Sequence, residues 1–289
     1  MKNNNFSKNP DTVVQSQVKT WWERRPMIYE WENQPTFEEG TEEFFEHADK
    51  LFWKASAPFA HPNWPQSKPF SRLIDYPQLQ NKHVLEIGCG IGALAEQLAL
   101  SAKSFAAIDL TERGVLLTKK RLELHSLDNS GVRQADAEHL PFPDESFDFV
   151  WSWGVIHHSA HTDQCVKEIL RVLKKDGTAK IMVYHRNSTR YYVYGGLYRG
   201  LLCGKLIKCR SLYAINMDFT DGYIARHFSR AEATELFYGA RSVTTQVMGE
   251  VAMFPGWGSL SRTFPRFMDH LNRFLANHFG WYLFVEVSK

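Results

Sequence analysis

Three glycines at alternate positions, Gly88, Gly90 and Gly92, follow the apolar run His83–Ile87 and precede a helical stretch, with Glu86 two residues before the first of them. Without β-carbons the chain can turn tightly there, and a ligand can lie against main-chain N–H groups at the start of the helix. A dinucleotide loop reads G-x-G-x-x-G and keeps its helix terminus clear for pyrophosphate. Here the spacing is G-x-G-x-G, and the Glu86 carboxylate at its mouth would repel a pyrophosphate and suits a cationic ligand. Nicotinamide chemistry is disfavoured on both counts. Two more acids, Asp109 and Asp136, close the next two apolar runs, and His157-His158 and Tyr184-His185 close the two after those. A neutral imidazole, with a pKa of ~6.5, can take a proton from a hydroxyl or amine at neutral pH.

For these residues to meet, they must sit at one end of a sheet. From 83 to 184 short apolar runs alternate with helical stretches, the pattern of a parallel α/β sheet. The strands read as His83–Gly88, Ser104–Leu110, Gly131–Ala135, Phe147–Trp153 and Ala179–Tyr184. Thr111 is placed to cap the helix after the second strand, and Val166, Ile169, Leu170 and Leu173 form one face of a helix that stops at 174–177. Open sheets of this kind hold ligands at the carboxyl ends of their strands.

At this point Val84–Gly92 resembles motif I of the class I S-adenosylmethionine-dependent methyltransferases. Leu140-Pro141-Phe142-Pro143-Asp144-Glu145-Ser146-Phe147-Asp148 with Gly154-Val155-Ile156-His157-His158 resembles the family's LPF-D-xSFD…LHH stretch. Arg171–Thr178 resembles its RVLKPGG turn, with Lys175 in place of the usual proline and Asp176 in place of a glycine. The likeness covers residues 80–185. It implies a Rossmann-like α/β fold with a mostly parallel seven-stranded sheet, helices on both faces, and S-adenosyl-L-methionine as cofactor, leaving S-adenosyl-L-homocysteine as product. It further implies that Glu86, Gly88, Cys89, Gly90 and Gly92 hold the methionine part, Asp109 the ribose hydroxyls, and Asp136-Ala137 the adenine amino group. Leu110 and Trp153 add apolar contacts, and Tyr29, from a segment folded over the site, meets the cofactor's carboxylate. His157, His158, Tyr184 and His185 are the candidates for proton transfer, which is needed only when the acceptor must lose a proton.

The remaining sequence reads as additions to that core. Residues 1–79 form a helical, proline-punctuated cap, with helices at 11–24 and 38–54 and a disordered lead-in before them. Residues 80–289 form the methyltransferase domain, interrupted at about 186–215 by an irregular, lid-like insertion of tyrosines and leucines among glycines. Arg199 and Lys205 break this insertion well short of a membrane span, so interfacial contact through 191–209 fits it better. Ser229-Arg230-Ala231-Glu232 is a capping box, and strands at Ser242–Met248 and Trp281–Val287 flank a helix at 266–278. A net charge of +2 offers no field for nucleic acid, and four cysteines without CxxC spacing read as reduced thiols of a cytoplasmic protein lacking a secretory signal. No acidic cluster demands a metal. Nine Trp, eleven Tyr and twenty Phe fit either a well-packed core or an aromatic pocket. Segments 191–209 and 248–257 are expected to choose a small aromatic or apolar acceptor, methylated on O or N. The competing expectation is a catalytically silent module that only binds the cofactor or a partner.

Overall fold

The alternation of Val84 and Leu85 sends successive side chains to opposite faces of a sheet, and both are fully buried, so the sheet is covered on both sides. This is seen in a computed structural model that describes residues 10–28, 37–61, 68–249, 251 and 253–289. The lead-in at 1–9, Tyr29 and Trp31 lie outside the described residues. The strands in chain order are β1 (His83–Ile87), β2 (Ser104–Asp109), β3 (Val132–Gln134), β4 (Phe147–Trp153), β5 (Leu173–His185), β6 (His227–Phe228), β7 (Ser242–Met248) and β8 (Tyr282–Ser288). They are ordered β3-β2-β1-β4-β5-β8-β7. The first five are parallel, and β8 runs antiparallel between β5 and β7. This is a Rossmann-like, mostly parallel sheet in which the two-residue β6, paired to β5, joins the seven expected strands. The chain reverses its winding between β1 and β4, and the loops after those two strands therefore diverge into a crevice.

One face packs Leu85, Ile87, Ile108 and Val150 against Val166 and Ile169 of a helix spanning Thr162–Val172. The other packs Val84, Phe149, Trp151 and Phe284 against Leu94 and Leu98 of the helix Ala93–Ala99 and against Phe52, Phe59 and Phe70 from the N-terminal region. Described residues between 42 and 79, among them Phe52, Phe59, Phe70 and Ile74, thus pack over one face of the sheet. The helix Glu42–Ser56 is fixed further by Arg121, which is fully buried: its Nε donates to Glu96 at 2.8 Å and its Nη2 to Asp49 at 2.5 Å. A buried charge is tolerated only when paired in this way.

Local signals in the sequence match the structure closely. Thr111 caps the helix Glu112–Leu124, its hydroxyl accepting from the Gly114 N–H, and the Ser229–Glu232 capping box is complete. Two readings differ. The helix before β5 ends at Val172, and the strand begins at once with Leu173, so the turn residues 174–177 belong to a long, bent strand. The insertion is also helical: a wide π-type helix over Arg190–Leu202 is followed by short helices Lys205–Cys209 and Leu212–Met217. Its buried positions, Tyr191, Gly195 and Gly200, are spaced by four and five, which suits an i→i+5 helix and hides it from a search at the α-helical period. Among the described residues no helix is long and apolar enough to cross a membrane.

Candidate active site

The loop after β1 is shaped by its own hydrogen bonds. The N–H groups of Gly88 and Cys89 donate to the Ile108 carbonyl at 2.8 and 3.1 Å, that of Gly90 donates to Asp109 Oδ2 at 2.9 Å, and Gly92 donates to Cys89. With these amides engaged inside the protein, the loop offers a contour more than a set of donors, a poor cradle for phosphate. Gly88 has φ +80°, and a β-carbon there would stand 2.2 Å from Val155 in the loop after β4. A β-carbon on Gly90, in contrast, would meet nothing within 4 Å, because that residue borders open space.

That space is a cavity of about 590 Å³ in the crevice between β1 and β4. Glu86, Gly88, Cys89, Gly90, Asp109 and Leu110 line part of it, together with Asp136 and Ala137. Glu86 is buried, and its Oε2 has no hydrogen-bond partner. Burial, with help from the Asp109 charge, pushes its carboxyl up to about 8. A buried, unpartnered acid beside an open contour fits a cationic ligand. Asp109 accepts from Gly90 N–H through Oδ2 and from the Thr111 amide and hydroxyl through Oδ1, at 2.9 and 2.6 Å. Burial raises its pKa despite these bonds. Gly92 does not line the cavity; with φ +83° it starts the helix Ala93–Ala99.

Much of the remaining lining is aromatic, and it begins beside Glu86, whose neighbour across β1 and β4 is Trp151. Trp151, Trp153, Met182, Tyr184, Trp281 and Tyr282 form it with Phe52 and Phe70. Trp153 meets Phe70 at a tilt of 53° with ring centroids 4.4 Å apart and stacks on Trp151, so it belongs to this aromatic group. Two charged residues, Arg190 and Asp221, interrupt the apolar wall, and the Tyr184 hydroxyl donates to Asp221 Oδ1. Burial and the Asp221 carboxylate together hold the Tyr184 phenol well above its ordinary value, so it remains a donor.

Of the four candidates for proton transfer, the structure brings Tyr184 and His158 to the cavity and leaves His157 and His185 away from it. His157 and His158 belong to one tight turn, Ile156–His158, and their rings pack against each other with centroids 4.1 Å apart, though only His158 lines the cavity. His157 is wholly buried, with neither ring nitrogen hydrogen-bonded, and burial holds it well below its ordinary pKa, as a neutral ring. His158 Nδ1 lies 2.6 Å from the Ile224 carbonyl, which can only accept; Nδ1 therefore carries the proton and Nε2 the lone pair. Burial lowers the pKa of His158 as well. His185 turns its Nδ1 to the Gly280 carbonyl at 3.0 Å. No residue of 191–209 lines the cavity, nor does any described residue of 248–257. The wide helix touches the wall with its first residue, Arg190, and then packs its buried stripe elsewhere. Arg186 and Arg226, which could have clamped an anion, instead bind Glu232 and the carbonyls of Ser159 and Ala160.

A helix over Pro10–Arg24 covers the cavity. Gln15 Nε2 donates to both oxygens of Asp136 at 3.0 and 2.9 Å, and Gln15 Oε1 accepts from the Ala160 N–H at 2.9 Å. Trp22 meets the His158 ring edge-on at 5.1 Å, and Glu23 accepts from the free N–H groups of Glu112 and Arg113 at the next helix start. Gln15 and Asp221 carry no local signal in the sequence, because each acquires its partner only through the fold. Among the described residues no group of His, Cys, Asp and Glu could hold a metal ion.

A Rossmann-like sheet ordered in this way, with a glycine contour and three acids around a crevice, is the arrangement that the resemblance to class I S-adenosylmethionine-dependent methyltransferases implies. Residues 85–181 match the family model described as a methyltransferase domain. The chain is 37% identical over 118 residues to the phthiotriol/phenolphthiotriol dimycocerosates methyltransferase of Mycobacterium tuberculosis, covering 40% of this chain and 43% of that protein. It is 34% identical over 94 residues to an uncharacterized methyltransferase of Bacillus subtilis, covering 32% and 37%. The matches thus span less than half the length of these curated relatives. A solved Thermotoga maritima structure, titled a SAM-dependent methyltransferase and possible histamine N-methyltransferase, aligns with TM-score 0.48 and 22% identity over 86% of this chain and 97% of its own.

Proposed function

We propose that this chain methylates an O or N atom of a small apolar or aromatic molecule. The observation that carries this reading is one cavity with two kinds of lining: an acid-rimmed glycine contour, and an aromatic wall holding a Tyr184–Asp221 pair. When bound, S-adenosylmethionine supplies the sulfonium methyl group. Glu86 would hold the cationic methionine end, Asp109 the ribose and Asp136 the adenine. The aromatic wall orients the acceptor and keeps water out, which is most of what an in-line displacement needs from a protein. His158 is the acceptor of choice for a departing proton, since its ring lines this cavity and its neutral Nε2 is buried without a hydrogen-bond partner. A lipid-like acceptor agrees with the apolar wall and with the substrate named in the mycobacterial relative's title.

Calorimetric titration with S-adenosylhomocysteine, S-adenosylmethionine and NADH tests the cofactor, and mass spectrometry of aromatic and lipid alcohols and amines incubated with methyl-labelled cofactor tests the transfer. Binding of the first two ligands and a labelled acceptor are expected. Binding of NADH alone overturns the reading, and tight cofactor binding with no labelled acceptor from a broad panel favours the silent module.

A further inference from the structure

We infer that the surface formed by residues 197–210 docks on an anionic lipid bilayer. An isolated exposed leucine is ordinary, but here Leu197, Leu201, Leu202, Leu206 and Ile207 all face outward within eleven positions, Leu202 with 73% and Ile207 with 84% of its surface exposed. The five-residue helix Lys205–Cys209 contributes no buried residue to the fold. A helix that short is not stable through its own hydrogen bonds, so a partner that covers its apolar side completes it.

Charge selects the partner. Residues 186–215 contain six basic residues and not one Asp or Glu. Arg186 is tied to Glu232, Arg190 borders the cavity, and Arg199 and Lys205 share Asp218. Lys208 and Arg210 remain exposed beside Ile207, without an ion pair among the described residues. Aliphatic side chains rimmed by lysine and arginine match the acyl boundary and headgroups of an anionic membrane surface. Protein interfaces favour aromatic residues at their centres and are depleted in lysine, which argues against a second copy or another protein. The same wide helix begins at Arg190 in the cavity wall and runs from there to the docked face.

The inference does not depend on the reaction, and its test uses none. The full chain is sedimented with vesicles of phosphatidylcholine alone and of phosphatidylcholine mixed with phosphatidylglycerol, at low and high salt. The doubly substituted L202S/I207S and K208E/R210E proteins are run beside it, and their folding is checked by thermal melting. Preferential, salt-sensitive binding to the anionic vesicles is expected, falling at least tenfold in either variant. Failure to bind either vesicle overturns the proposal, as does equal binding by wild type and variants. Self-association in sedimentation velocity that L202S/I207S abolishes, without vesicle binding, assigns the face to a second copy instead. S-adenosylhomocysteine titrations on the same preparations keep the questions apart, since loss of cofactor binding with intact vesicle binding sinks the methyltransferase reading alone.

Discussion

Cofactor binding should release a proton, and Glu86 should be its source. With its carboxyl at about 8 in the ligand-free protein, roughly nine in ten molecules carry the proton at pH 7. A cationic ligand beside Glu86 favours the ionised form and draws the pKa back below neutrality. Binding at pH 7 should therefore release close to one proton, at a cost of about 1.4 kcal/mol, or roughly tenfold in affinity. The dissociation constant of S-adenosylhomocysteine should fall by up to about tenfold per pH unit as pH rises toward 8 and level off above it. Calorimetry in phosphate and Tris at matched pH reads the proton count from the difference in observed heats. The same shift bears on stability. The folded state binds this proton more tightly than the unfolded chain, so the contribution is fully present below the ordinary carboxylate range and is lost as pH rises through about 8. Glu86→Gln should thus raise the melting temperature of the ligand-free protein above pH 8, change it little near pH ~5, and abolish both tight binding and proton release. Heats independent of buffer in the wild type, or proton release that persists in Glu86→Gln, would refute the assignment.

Other substitutions probe the remaining contacts. Asp109→Ala should weaken S-adenosylhomocysteine at least tenfold by titration, since it removes a charged acceptor, worth about 1.5–3 kcal/mol, and frees the Gly90 amide; an unchanged constant counts against it. His158→Asn should leave cofactor affinity within about twofold but slow turnover of an acceptor hydroxyl or amine by about 10²-fold or more, whereas His157→Asn should act on melting temperature first. Equal losses of turnover in the two would contradict the placement of His158 alone of this pair in the cavity lining. Asp49→Ala should destabilise the fold by about 1.5–3 kcal/mol in urea titration, because it removes one of the two carboxylates that hold the buried Arg121 and leaves only Glu96. Gln15→Ala should speed release of S-adenosylhomocysteine, followed by stopped-flow tryptophan fluorescence; an unaltered rate would show that the covering helix does not gate it.

What could be read in advance was what the backbone itself demands. The glycine contour, the cap at Thr111 and the Ser229–Glu232 box are local devices whose residue types are dictated within a few positions, and the acids at the ends of β2 and β3 inherit their place from the sheet. The choice between His157 and His158 is not legible in the sequence, because the two are adjacent in one tight turn with their rings in contact, and only the surrounding packing buries His157 and brings His158 to the cavity. Asp221 meets Tyr184 across 37 positions and Gln15 meets Asp136 across 121, so neither pairing leaves a periodic trace. The wide helix was read as irregular because its buried stripe repeats at neither the helical nor the strand period.

Gln15, Val18 and Trp22 lie on one face of a single covering helix, and all three border the cavity. Gln15 holds Asp136 and Trp22 meets the ring of His158, so one helix is tied at once to the loop after β3 and to the loop after β4. A substitution that loosens this helix at either contact is therefore expected to be felt at the other, because both side chains are carried by the same rigid element.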